Sequence, residues 1–266
     1  MKSFFSRYKY LFFLQLACTW NLVGAPDRES FGKEKREIQG VPLDAFVLGN
    51  ENLKVELWAR SPLVYSPVAM DFDAQGRLWL TEGIDYNQRL RVDAGRSIIV
   101  LEDKDGDGKA DSSQVFVTEK EIRHAPLGIA VFDNRIVLST TPSIIVYTDV
   151  NRNAVFEPKV DKREVFLTGF QNKNHDHTVH AVVGAPSGQW HFSFGNCGAD
   201  IRTKDGRHYL SGCYYGYPEA IGKASSDGEV YVGGMTMRIN PDGTGLHPTG
   251  ENMRNPHDMF VTSQGD

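Results

Sequence analysis

Two stretches of this chain repeat one another at a fixed interval, and that repeat narrows the fold more than any other feature. Ser97-Ile98-Ile99-Val100-Leu101-Glu102-Asp103 matches Ser143-Ile144-Ile145-Val146-Tyr147-Thr148-Asp149. Each run passes through a polar loop into another apolar run, Gln114-Val115-Phe116-Val117-Thr118 and Glu164-Val165-Phe166-Leu167-Thr168. The closing aspartates are 149 − 103 = 46 positions apart. Short apolar runs bounded by turn residues read as strands. A unit that recurs about every 45 residues with about four short strands is the pattern of propeller blades. A β-sandwich does not repeat a strand pair with its loop at fixed spacing.

A hairpin pattern recurs beside the repeat. Val68–Asp73 turns at Ala74-Gln75-Gly76 into Arg77–Glu82. Leu127–Phe132 turns at Asp133-Asn134 into Arg135–Ser139, and Val179–Gly184 turns at Ala185-Pro186-Ser187-Gly188 into Gln189–Phe194. Trp79 and Trp190 fall at matching places and read as core. His257–Val261 reads as half of a fourth hairpin whose turn contains Asp266. The expected fold is therefore all-β, a β-propeller of about four blades over residues 41–266. Propellers close to remove their sheet edges, so an end inside a hairpin reads as a partial propeller.

The first 25 residues differ from the rest. Lys2, Arg7 and Lys9 precede the apolar run Leu11–Cys18, and Val23-Gly24-Ala25 ends in small residues. The run is too short for a bilayer span and has the layout of an export signal, which places the mature chain in the periplasm or at the cell surface. Residues 26–40 are polar and charged and read as a linker. Cys197 and Cys213 follow in an oxidising compartment, a pair compatible with a disulfide and equally with two buried thiols. No Cys-x-x-Cys-His is present, so this stretch attaches no haem. The net charge of −5 gives no footing for nucleic acid.

Asp103-Lys104-Asp105-Gly106-Asp107-Gly108-Lys109-Ala110-Asp111 carries carboxylates at loop positions one, three and five and glycine at six. Such carboxylates converge on a hard cation, with the Lys109 carbonyl at seven and Asp111 at nine. Gln114 stands where an EF-hand has its bidentate Glu, so the reading is a Ca²⁺ loop on strands; a solvated acidic turn is its rival. The copy at Asp149 has Asn151 and Asn153 at three and five and Glu157 at nine, with no glycine at six. It reads as a loop kept for shape.

His175-Asp176-His177 and His180 form the densest histidine group. A general base oriented by Asp176, a transition-metal site and a polar lining of the central channel all suit it. His-x-His on a strand would point both rings one way. Glu82, Arg254 and Asn255 stand at strand ends, where channel-facing loops emerge.

At Val68–Glu82, the paired loops, His175–Ala181, Phe194-Gly195-Asn196 and Arg254-Asn255-Pro256, the chain resembles the N-terminal propeller of large secreted planctomycete-type proteins. These are described as membrane-bound dehydrogenases or haem-binding CxxCH proteins. They are similar to soluble glucose/sorbosone dehydrogenases, six-bladed propellers that use pyrroloquinoline quinone. The resemblance implies a sugar or alcohol substrate, His177 as the proton-abstracting base, and Arg254, Asn255 and Glu82 as cofactor contacts. It also implies a cytochrome c domain downstream in the full-length protein. A propeller module that only binds a glycan or a protein is the competing expectation.

Overall fold

A computed structural model describes residues 43–83, 96–119, 122, 126–171 and 176–265. The expectations for residues 1–25 and 26–40, and for His175, lie outside the described residues. Among the described residues, fifteen strands form four sheets. In the first, β1 (Pro67–Phe72), β2 (Leu78–Glu82), β3 (Arg96–Glu102) and β4 (Ser112–Glu119) lie in chain order. The second repeats this with β5 (Gly128–Phe132), β6 (Arg135–Thr140), β7 (Ser143–Thr148) and β8 (Lys162–Thr168). All neighbours in both sheets are antiparallel. These are propeller blades, as the repeat requires.

The third blade is interrupted. Its order is β9 (Val179–Gly184), β10 (Trp190–Phe194), β14 (Gly234–Ile239) and β15 (His247–Met253). Between β10 and β14 the chain builds a separate sheet from β11 (Ala199–Arg202), β12 (His208–Gly212) and β13 (Tyr231–Val232), the last pair parallel. Residues 254–261 carry no strand. The expected half-hairpin after His257 is absent there, although His257 and Asp258 lie beside β9 on the wall of the central cavity.

Continuous apolar strands follow from burial on both faces. In β7, Ile144 and Val146 pack toward the third blade, while Ile145 and Tyr147 pack toward the first. The period of two thus sends alternate side chains into two different cores. In β3, Ile98 and Val100 face the second blade, while Ile99 and Leu101 face Trp58, Ala59, Leu63 and Val64. Trp79 and Trp190 are both core, at 2% and 5% exposure, but their positions do not match. Trp79 is the third residue after Gly76 and Trp190 the second after Gly188. One step of register reverses the face, so the two indoles approach the second blade from opposite sides.

The first strands of the blades pack side by side around a cavity of about 950 Å³. Asp71 on β1 accepts a 2.8 Å bond from the Val131 amide on β5, tying the first two blades together at this wall.

Candidate functional site

The Asp103–Asp111 loop folds around its own carboxylates. Asp103 Oδ1 accepts from the Gly106 amide at 2.7 Å and Oδ2 from the Gly108 amide at 2.9 Å. Gly106 and Gly108 make this wrap possible at φ +76° and +87°. Asp105 Oδ1 accepts from the Asp107 amide, Asp107 Oδ1 from the Lys109 amide, and Asp111 Oδ2 from the Lys104 amide. Oxygens of Asp103, Asp105 and Asp111 come within 4.8 Å of one another. Asp107 and Lys109 are not part of that trio.

The copy at Asp149 uses the same frame with different chemistry. Asp149 Oδ2 accepts from the Ala154 amide five residues on, as Asp103 does from Gly108. The Oδ1 atoms of Asn151 and Asn153 accept from backbone amides two residues on, as those of Asp105 and Asp107 do. That fixes the remaining atoms as amide nitrogens. Both donate to Glu157 Oε2, at 2.7 and 2.8 Å. The second loop therefore satisfies its position-nine carboxylate internally. In the first loop the corresponding groups are carboxylates, so Asp111 takes backbone amides but no side-chain N–H from positions three and five, and carboxylate oxygens gather there.

The histidines gather at the end of the third blade where β9 begins. Residues 176–178 form a turn ahead of the strand, so the strand geometry expected for His-x-His does not apply to His177. His177 is 5% exposed, and its Nδ1 lies 2.6 Å from Asn196 Oδ1. An amide oxygen only accepts, so Nδ1 carries the hydrogen and Nε2 keeps the lone pair. Asn196, just after β10, is thus a group that orients the His177 ring. The Cys197 amide donates to the His177 carbonyl at 3.1 Å, and the Tyr215 ring lies 5.2 Å from the imidazole.

His180 is wholly buried. Its Nε2 bonds to Asn255 Oδ1 at 2.7 Å and its ring lies 5.0 Å from that of His257. Nδ1 has no hydrogen bond of good geometry, although backbone at Asp176 is close enough to favour the charged form somewhat. Burial dominates and pushes the imidazole below its ordinary value of 6.5. His191 is shifted the same way, by burial and then by Arg238. The unfolded chain therefore takes up protons that the fold refuses. Stability from these groups is complete above pH about 6.5 and is lost as pH falls below it. Denaturant melts from pH 7 to 5 should show this fall, with a slope of up to about 1.4 kcal/mol per pH unit for His180 and less for the more exposed His191. His180→Gln should flatten the slope; an unchanged slope would refute the assignment.

The other expected residues separate. Asn255 joins the cluster through His180. Arg254 contributes its backbone carbonyl, which accepts from the Asn196 amide at 2.8 Å, while its side chain is exposed. Glu82 ends β2 at the same end of the blades, paired with Pro67 at the start of β1. It is 2% exposed and accepts the Tyr65 amide at 2.9 Å. Glu82, His177 and Arg254 are not among the residues that line the large cavity. Cys197 and Cys213 remain thiols, and Cys213 Sγ donates to the Asn196 carbonyl.

A family model described as a domain of unknown function, DUF7133, matches residues 43–256. This chain belongs to the DUF7133 family. No curated protein matches it. The DUF7133 chain is similar to two solved structures of Trichoderma reesei Carbohydrate-Active Enzymes Family AA12, one with iodide and one with calcium. Each is 13% identical, with TM-scores of 0.38 and 0.36. The matches cover 70% and 66% of this chain and 38% and 35% of those chains. A provisionally named gluconolactonase is 15% identical at a TM-score of 0.34, covering 71% of this chain and 59% of that one. The DUF7133 chain thus spans less than two thirds of the length of each of these neighbours.

Proposed function

We propose that this domain is the propeller part of an exported, quinone-dependent sugar or alcohol dehydrogenase, with His177 accepting the proton of the substrate hydroxyl. The observation that carries the reading is the Asn196–His177 bond. It holds the imidazole in the tautomer whose Nε2 is free to take a proton. Export rests on the layout of residues 1–25, and the electron path through a downstream cytochrome c domain rests on the resemblance.

Pyrroloquinoline quinone is a tricarboxylate, and Arg254, Asn255 and Glu82 are not by themselves a fit for it. Arg254 is one exposed cation, Asn255 Oδ1 is committed to His180, and the Glu82 carboxylate would repel the group. Arg89, Arg91, Arg123 and Lys173 lie in stretches outside the described residues. The chemistry that the described side chains support by themselves is the proton transfer to His177.

The Asp103–Asp111 loop is proposed as a structural Ca²⁺ site. Its support is the internal comparison: where the second loop uses two amide donors, the first places carboxylates, which a divalent cation would hold together. Calcium at about 100-fold over its Kd should stabilise the fold by about 2.7 kcal/mol. Asp105→Asn with Asp107→Asn gives the first loop the chemistry of the second, and should fold without that dependence. A wild-type melt indifferent to Ca²⁺ and to EDTA would refute the site. For the catalytic reading, the full-length protein supplied with the quinone and Ca²⁺ should reduce a dye with aldoses. Failure to bind quinone would overturn it; glycan binding without turnover would establish a binding module instead.

A further inference from the structure

The insert between β10 and β14 delivers an aromatic turn to the His177 site and clamps it there. Gly212, Gly216 and Gly198 set the clamp. A Cβ on Gly212 would fall 2.2 Å from the Tyr217 carbonyl oxygen. One on Gly216 would fall 2.3 Å from Cys197 Cα, and one on Gly198 2.4 Å from the Ser211 carbonyl oxygen. The Cys213 thiol adds a 2.9 Å bond to the Asn196 carbonyl, and the Tyr217 amide closes the turn on the Cys213 carbonyl at 3.1 Å. Backbone is thus packed against backbone around the residue that orients His177.

This clamp holds two tyrosines at the surface. Tyr214 is 89% exposed and Tyr215 47%. Tyr215 tilts 42° from the His177 ring, so the turn meets the imidazole while much of both phenol rings stays exposed. Exposed single aromatics need no explanation. Two in succession on a turn held by three close glycine contacts, beside a histidine with a free lone pair, form a rigid amphipathic surface. Tyrosine offers wide contact area at low entropic cost and a hydroxyl at its rim.

We propose that the Tyr214-Tyr215 turn is a stacking subsite for a pyranose ring, which it holds against the His177 imidazole. The C–H face of a pyranose is apolar and flat enough to lie on a phenol ring, while its hydroxyls point outward to polar partners. The subsite sets the substrate class for the proposed dehydrogenase and rests on that reading for its catalytic meaning, not for binding.

Saturation-transfer NMR of the full chain with methyl β-D-glucopyranoside tests it, with D-galactose, D-mannose and cyclohexanol as comparison ligands. The axial protons H1, H3 and H5 should receive the strongest saturation from the protein. Tyr215→Ala should weaken binding about tenfold, and Tyr215→Phe should largely restore it. Tyr214→Ala, which removes a side chain already in solvent, should weaken it less without altering the melt. His177→Asn should leave the saturation in place. Pyranoside binding without turnover would defeat the dehydrogenase reading and leave the subsite standing. No saturation of any pyranose, equal saturation of cyclohexanol, or binding unchanged in both tyrosine-to-alanine variants would overturn the subsite.

Discussion

His177→Asn is expected to lower turnover by about 10²–10⁴-fold, the usual worth of a positioned proton acceptor. The loss should fall on kcat, because the side chain that holds the sugar is a different one. Asparagine keeps a polar group near Asn196 but has no basic nitrogen to replace Nε2. Two changes at Asn196 separate a positioning role from a merely structural one. Asn196→Ala removes the acceptor that fixes the tautomer, so a fraction of the imidazoles would present N–H instead of a lone pair. Asn196→Asp keeps the acceptor and adds a negative charge beside the ring. That charge stabilises the imidazolium formed when Nε2 takes the substrate proton, so the acid limb of the kcat/KM profile should move to higher pH. An acid limb that stays in place with Asn196→Asp would show that His177 is not the titrating base.

The blades were legible because a strand pair and its loop repeat, and a repeat survives when single residues vary. Ser97–Asp103 and Ser143–Asp149 became β3 and β7 with their following loops. The interruption of the third blade was not legible. Phe194 ends β10 and Gly234 begins β14, and the residues between them carry strand and turn patterns of their own. Nothing local distinguishes an inserted sheet from the next strands of a blade. The spacing held the clue: β2 and β3 are separated by residues 83–95, β6 and β7 by residues 141–142, but β10 and β14 by residues 195–233. At the site, the histidines were conspicuous and their partners were not. Asn196 and Asn255 lie 19 and 75 positions from the imidazoles they bind. Loops fold them together through tertiary packing, and no helical or strand period relates them. The two carboxylate loops show the opposite case, since each is complete within nine residues and its chemistry can be read residue by residue.

Gly195→Ala is expected to cost about 3 kcal/mol and to disturb both histidines at once. Gly195 follows β10, and its φ is not positive, so the cost is steric and not conformational. A Cβ there would lie 2.5 Å from Asn255 Oδ1 and 2.7 Å from the carbonyl carbon and oxygen of His177. The carbonyl belongs to backbone that also accepts the Cys197 amide, so it yields less easily than the Asn255 side chain. If Asn255 swings away, His180 keeps a buried N–H with no partner, a penalty of about 1–3 kcal/mol. If it stays, the methyl overpacks the junction at about 1–3 kcal/mol. For a chain of this size a cost of about 3 kcal/mol corresponds to a fall in Tm of roughly 6–12 °C. A double-mutant cycle identifies the contact responsible. Asn255→Ala alone should also destabilise, by orphaning His180. In the Asn255→Ala background, Gly195→Ala should cost less, because the closest clash is gone. Strict additivity of the two changes would mean that the methyl collides only with the His177 backbone. In that case the coupling between the two histidines does not run through Asn255.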